Sequence, residues 1–317
     1  MSKIASGFRT DVKTVTEALI GPRHARRLHR YYLRNGKSVA AGLNVMAQRW
    51  PTVKSVSEAS PIFIFSAGWR SGSTLLQRMV MSGDGIFIWG EPYRHAEIID
   101  SIARQVGAFT SEWPWDEFFI DHFDGSELTQ EWIANLYPSL EDFMAAHLAF
   151  FECVFARPAA ARGAARWGIK EIALTMDHAL YLRWLFPRAK FVFLYRNPYH
   201  AYRSYYKWRS FYRSWPDQPV FTAGGFGRFW AEMTADFVSR YREVDGLLLR
   251  YEDLKAPETK QRLETYLDCA IEDPEGLPRI GDIGGRNEQP KWVPKLEYLL
   301  LRRKVDRLAS ELGYTGI

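Results

Sequence analysis

The chain has 317 residues, 47% of them apolar, enough for one large α/β domain with an appendage or for two small domains, and too apolar for a disordered or fibrous protein. Two cysteines, Cys153 and Cys269, are too few for a disulfide scaffold and lack thiolate metal-site spacing, so both are expected as small buried hydrophobes. The net charge of +5 is uneven: residues 1–57 hold eleven Lys/Arg against Asp11 and Glu17, net +9, leaving −4 on the other 260.

The N-terminus has no apolar core of signal-peptide length, and no run approaches 18 uninterrupted apolar residues, so a soluble, cytoplasmic protein without a transmembrane segment is expected. The center of the basic arm, GPRHARRLHRYYLRNGK, suits nucleic acid, anionic lipid or an acidic substrate; alternatively it is a helical hairpin packed on the domain. The expected division is a basic helical arm over 1–57 and an α/β domain over 58–317.

Beyond the polar linker 53–60, short β-branched and aromatic runs alternate with helical periodicity. Strands are predicted at 61–66, 86–90, 166–170, 190–196 and 247–252. Helices are predicted at 73–82, 93–106, 138–155, 175–186, 199–209, 224–243, 257–267 and 294–312, with a loop at 157–166. This order implies a mostly parallel central sheet flanked by helices, of the P-loop nucleotide-binding type. In such sheets ligands sit beyond the carboxyl ends of the strands, so residues just after strands are where chemistry is sought.

The first predicted strand runs into Ala67-Gly68-Trp69-Arg70-Ser71-Gly72-Ser73-Thr74. Against G-x-x-x-x-G-K-[ST], Ala67 replaces the first glycine and Ser73 the lysine, while Gly72 and Thr74 fit and the cation moves to Arg70. A loop that opens a helix offers free N–H groups and the positive end of the helix dipole to an anion. The lysine that spans β and γ phosphates is missing, and no strand ends in an obvious magnesium-holding Asp near this loop. The bland alternative is a Gly/Ser turn shaped by geometry alone.

This segment resembles the 5′-phosphosulfate loop of the sulfotransferases that use 3′-phosphoadenosine 5′-phosphosulfate (PAPS) and release 3′-phosphoadenosine 5′-phosphate (PAP). The motif style is that of the tyrosylprotein and carbohydrate branches, and the likeness spans about residues 60–255. It implies that Arg70, Ser71, Gly72, Ser73 and Thr74 hold the donor and that Arg70 also faces the leaving group. A second motif, FVFLYRNPYHAYRSYY, places Arg196 at a strand end and Ser204 eight residues on. That spacing matches the family's 3′-phosphate site, where a guanidinium fork and a hydroxyl share one anion. Alone, a strand-terminal arginine is more often an ion-pair partner. In LLLRYEDL, Arg250 and Tyr251 match the late strand near the adenosine, or else are ordinary strand-end residues. Arg286 and Lys291 lie where relatives close a basic loop, without a choice between them.

The resemblance also implies the reaction residues. Glu91, directly after the second strand, is the general base, with His95 as the rival; a turn-satisfied carboxylate is the alternative. Lys170 contacts the transferring group, or else salt-bridges Glu171. No metal is expected, because the leaving group is a phosphate and side-chain cations serve. The acceptor is a hydroxyl on a carbohydrate or small molecule, with peptide tyrosine as a further class; no nucleic-acid partner is expected. The aromatic stretches 205–221 and 111–119 are acceptor wall or core. Two other readings stand beside transfer from PAPS: a P-loop kinase, and a noncatalytic nucleotide or nucleic-acid binding module.

Overall fold

The structure is a computed structural model and describes residues 38–92, 97–125, 128–130, 132–208, 222–273, 275–277 and 293–315. Most of the basic arm, His95, Arg286, Lys291 and residues 209–221 lie outside them.

Helix α1 (Val39–Arg49) starts from Ser38, whose Oγ accepts from Ala41 N. It falls within the predicted helical arm and packs on the domain: Val39 and Met46 are buried in the core. Then follow β1 (Ile62–Ser66), α2 (Ser73–Met81), β2 (Ile86–Gly90), α3 (Ile98–Val106), α4 (Leu140–Ala160), β3 (Arg166–Glu171), α5 (Met176–Leu185), β4 (Lys190–Tyr195), α6 (Pro198–Lys207), α7 (Ala223–Arg240), β5 (Leu247–Arg250), α8 (Pro257–Leu267) and α9 (Lys295–Glu311).

The five strands pair in parallel in the order β2-β3-β1-β4-β5. Period-2 alternation gives the two faces different chemistry. Phe63, Phe65, Trp167, Phe191 and Phe193 face one side, with Phe151, Tyr181, Trp230 and Phe237 packed over them. Ile62, Ile64, Val192 and Leu194 face the other, under Leu76, Met79 and Val80 of α2 and Leu263 and Leu267 of α8. Gly168 is needed where β3 pairs with the start of β1, because a Cβ there would lie 2.1 Å from the Ile62 carbonyl oxygen.

Several predicted boundaries shift. The helix predicted from 93 begins at Ile98, after Glu97 with φ 47°. The first four residues of the predicted loop 157–166 are the last turn of α4, reached through a π-turn at Glu152–Ala156. Helix α4 is long and apolar enough, by composition alone, to cross a membrane; Met144, His147, Phe151 and Phe155 seat it in the core. Cys153, expected buried, is exposed on it. The last predicted strand ends at Arg250, where a 3-10 turn, Tyr251–Asp253, takes over.

Candidate active site

The carboxyl ends of β1, β3 and β4 are tied through the first loop: Ala67 N donates to Leu194 O (2.8 Å) and Gly68 N to Ile172 O (3.2 Å). Gly68, Arg70 and Gly72 have φ of 86°, 60° and 92°, while residues 69 and 71 stay on the ordinary side. Such alternation turns successive N–H groups into a concavity for an anion. Gly72 caps α2 without a side chain, so the first amides of that nine-residue helix have no partner within it. Trp69 is buried against Phe229 (4.8 Å between rings) and Tyr205 (6.0 Å), which pins the loop to the core. Ser71 Oγ donates to Gly68 O at 2.9 Å. Ser73 is buried, whereas Thr74 and Arg70 are exposed.

The second motif meets this loop. Arg196 Nη1 donates to Arg70 O at 2.9 Å, and Arg70 Nε donates to Ser204 Oγ at 2.8 Å. Asn197 Oδ1 caps α6 by accepting from Tyr199 N (2.9 Å) and His200 N (3.3 Å), and Pro198 occupies the first turn. Burial lowers the Arg196 pKa from its ordinary value; the neighboring Tyr251 and Glu252 oppose that shift and Arg70 adds to it. Its Nε is buried with no acceptor among the described residues. An arginine cannot shed its proton in a protein, so this is a stored demand for an anion or water.

Tyr251 touches both motifs. The Arg196 guanidinium lies 4.1 Å over its ring, and a Cβ at Gly72 would be 2.0 Å from its Cδ2. Arg250 turns elsewhere: its guanidinium lies 4.7 Å over the Tyr314 ring and its Nε is 3.8 Å from Asp253. None of its described contacts is to the loop 67–72.

The remaining pair stands on β2 and β3. Register places Gly90 beside Lys170, and Glu91 N donates to Lys170 O at 2.8 Å. Glu91 adopts φ 42° before Pro92, and its Oε1 accepts from Lys170 Nζ at 2.5 Å. Lys170 is only 4% exposed. It pairs with Ile64 of β1, one layer beneath the loop and on the face covered by α2. Glu171, its alternative partner by sequence, points to the opposite face and accepts from Ile172 N.

Sequence reasoning missed the supports. Glu252 accepts from Asn197 N (3.0 Å) and from the Tyr314 hydroxyl (2.8 Å), and Trp230 Nε1 donates to Arg196 O (2.9 Å). The E-D pair after Tyr251 was visible; nothing in the sequence pointed to Tyr314. Of the aromatic stretch 111–119, Trp113 and Trp115 are 40% and 57% exposed, while Phe118 and Phe119 are core.

Several solved structures are similar to this chain. The sulfotransferase domain from the Synechococcus PCC 7002 olefin synthase has 19% identity and a TM-score of 0.45, covering 83% of this chain and 99% of its own. A sulfotransferase from Alicyclobacillus acidocaldarius has 16% identity and a TM-score of 0.42, covering 81% and 98%. The mouse sulfotransferase SULT7A1 complexed with PAP has 12% identity and a TM-score of 0.36, covering 89% and 74%. No curated protein matches the sequence. The model of the sulfotransferase family matches residues 61–273, a span that holds the loop, the Glu91–Lys170 pair, Arg196, Ser204 and Tyr251, and on that match the chain belongs to the sulfotransferase family.

Proposed function

We propose that this protein transfers the sulfuryl group of PAPS to a hydroxyl of an acceptor, a carbohydrate or small molecule before a peptide tyrosine. The observation that carries this reading is the joining of the two anion-binding motifs through Arg70, Arg196 and Ser204. Two features fit a doubly phosphorylated nucleotide: the concavity of loop amides shaped by the positive φ of Gly68, Arg70 and Gly72, and the orphaned, buried Nε of Arg196. The amides at the start of α2 and Arg70 receive the phosphosulfate end; Arg196 and Ser204 receive the 3′-phosphate; Tyr251 packs beside the adenosine.

Transfer forms a bond from the acceptor oxygen to sulfur as the bond from sulfur to the bridging oxygen breaks, the electron pair leaving with the phosphate. Glu91 takes the acceptor proton. Its Oε1 is held by Lys170, which orients the carboxylate for the acceptor hydroxyl. Lys170 and Arg70 supply positive charge where negative charge accumulates on the leaving oxygen.

Calorimetric titration with PAP, ADP and AMP tests the donor site. PAP is expected to bind in preference to ADP, with the preference lost in Arg196→Ala. Equal affinity for PAP and ADP in the unmodified protein overturns the reading. Radiolabeled PAPS offered to a panel of sugars, phenols and tyrosine peptides then sorts the acceptor classes.

A further inference from the structure

The amino ends of the strands, opposite the crevice just described, surround a cavity of 440 Å³ lined in part by Ser60, Arg166, Arg183, Arg188, Lys190 and Tyr266. That volume is within the range of small-molecule sites. Four cations face it against two acids, Asp245 and Asp268. Helices that flank a parallel sheet bring their negative C-terminal ends to this edge, and two of the arginines are used there. Arg166 donates from Nε to Ser60 O and from Nη1 to Leu267 O, both at 2.6 Å. Arg183 Nη1 donates to Pro187 O at 2.7 Å and its Nη2 to Val244 O.

What remains is more than helix capping requires. Arg183 Nε is buried without an acceptor among the described residues. Lys190 forms no ion pair with a described carboxylate and stands 4.9 Å over the Tyr266 ring. The Tyr266 hydroxyl accepts from Phe191 N at 2.8 Å, which leaves its own proton to donate; burial raises its pKa, so that proton is retained. The existing ion pairs at the rim, Arg188 with Glu58 (2.5 Å) and Arg183 with Asp245 (3.3 Å), each have a side chain largely in solvent. Pairs of that kind are weak and exchange readily for a better anion.

We propose that this amino-edge cavity is a second anion site, separate from the donor crevice, which binds a small multivalent oxyanion of the polyphosphate type through Lys190, Arg188, Arg183 and the Tyr266 hydroxyl. The binding requires no sulfuryl transfer and does not depend on the donor reading.

The probe is tripolyphosphate, titrated by calorimetry at constant ionic strength into an Arg196→Ala protein, in which the crevice is weakened. Adding Lys190→Gln and Arg188→Gln, both outside the hydrophobic core, is expected to lower affinity at least tenfold with the melting temperature of the parent. In the unmodified protein, tripolyphosphate is expected to protect Lys190 from an amine-acetylating reagent, read by peptide mass spectrometry. Tripolyphosphate affinity unchanged by the two added substitutions, no measurable binding in the Arg196→Ala protein, or Lys190 acetylated equally with and without the probe each overturns the proposal.

Discussion

Replacing Gly72 with alanine tests whether the loop and Tyr251 form one unit. The added Cβ meets Tyr251 Cδ2 at 2.0 Å and Cε2 at 2.3 Å, whereas carbon atoms rest at about 3.5–4.0 Å. The ring must therefore retreat by roughly 1.5 Å, away from a position 4.1 Å beneath the Arg196 guanidinium. Overpacking of this kind costs about 1–3 kcal/mol. A left-handed backbone at φ 92° adds about 1–2 kcal/mol for a residue with a Cβ. The expected result is a lower melting temperature and at least a tenfold loss of PAP affinity, measured by thermal unfolding and calorimetry. A double-mutant cycle with Tyr251→Ala separates the two costs. Removing the ring relieves the clash but not the backbone strain, so the double variant should be more stable than the two single losses predict by about 0.5–3 kcal/mol. Strict additivity, or a Gly72→Ala protein with unchanged PAP affinity and melting temperature, would refute the claim that ring and loop are packed as described.

Glu91→Gln is expected to lower kcat by about 10²–10⁴ with PAP affinity nearly unchanged, read by a transfer assay beside calorimetry. Lys170→Met removes both the orienting bond to Glu91 and the charge near the leaving oxygen, for a loss on the order of 10²–10³ in turnover; full activity would remove Lys170 from the chemistry. His147 is buried, shares a 2.6 Å hydrogen bond with the Tyr181 hydroxyl, and has its pKa lowered by burial from 6.5 to about 4. Between those values only the unfolded chain takes up the proton, so stability falls as pH falls from 6.5 to about 4. His147→Gln should flatten that part of the melting-temperature profile; an unaltered profile would mean that His147 does not titrate there.

The α/β fold was legible because each buried strand is a short run with its own punctuation, and the loop 67–72 because its turns require glycine. The partnership of Glu91 and Lys170 was not legible as a pair. Neighbors in sequence, such as Lys170 and Glu171, point to opposite faces of a strand. The true partner is 79 residues away and is set by register between strands whose intervening helices hide it. The same holds for Tyr251 on Gly72, a contact made by the 3-10 turn that follows edge strand β5. Helix α1 lies in the arm whose packing on the domain was one of the two readings offered; it carries one charge, Arg49, and its apolar positions Val39 and Met46 are what seat it. The start of α3 was misplaced because a left-handed Glu97 leaves no clear sequence signal.

The buried ring of Tyr314, joined through Glu252 to the amide of Asn197, makes the tail a mooring for the helix that carries Ser204. Trimming the chain before this residue deprives Glu252 of one partner and slackens the mooring. Linkage makes the effect mutual: on the proposed donor reading, a nucleotide held by Arg196 and Ser204 is expected to shield the tail from carboxypeptidase, and a clipped tail to release it sooner.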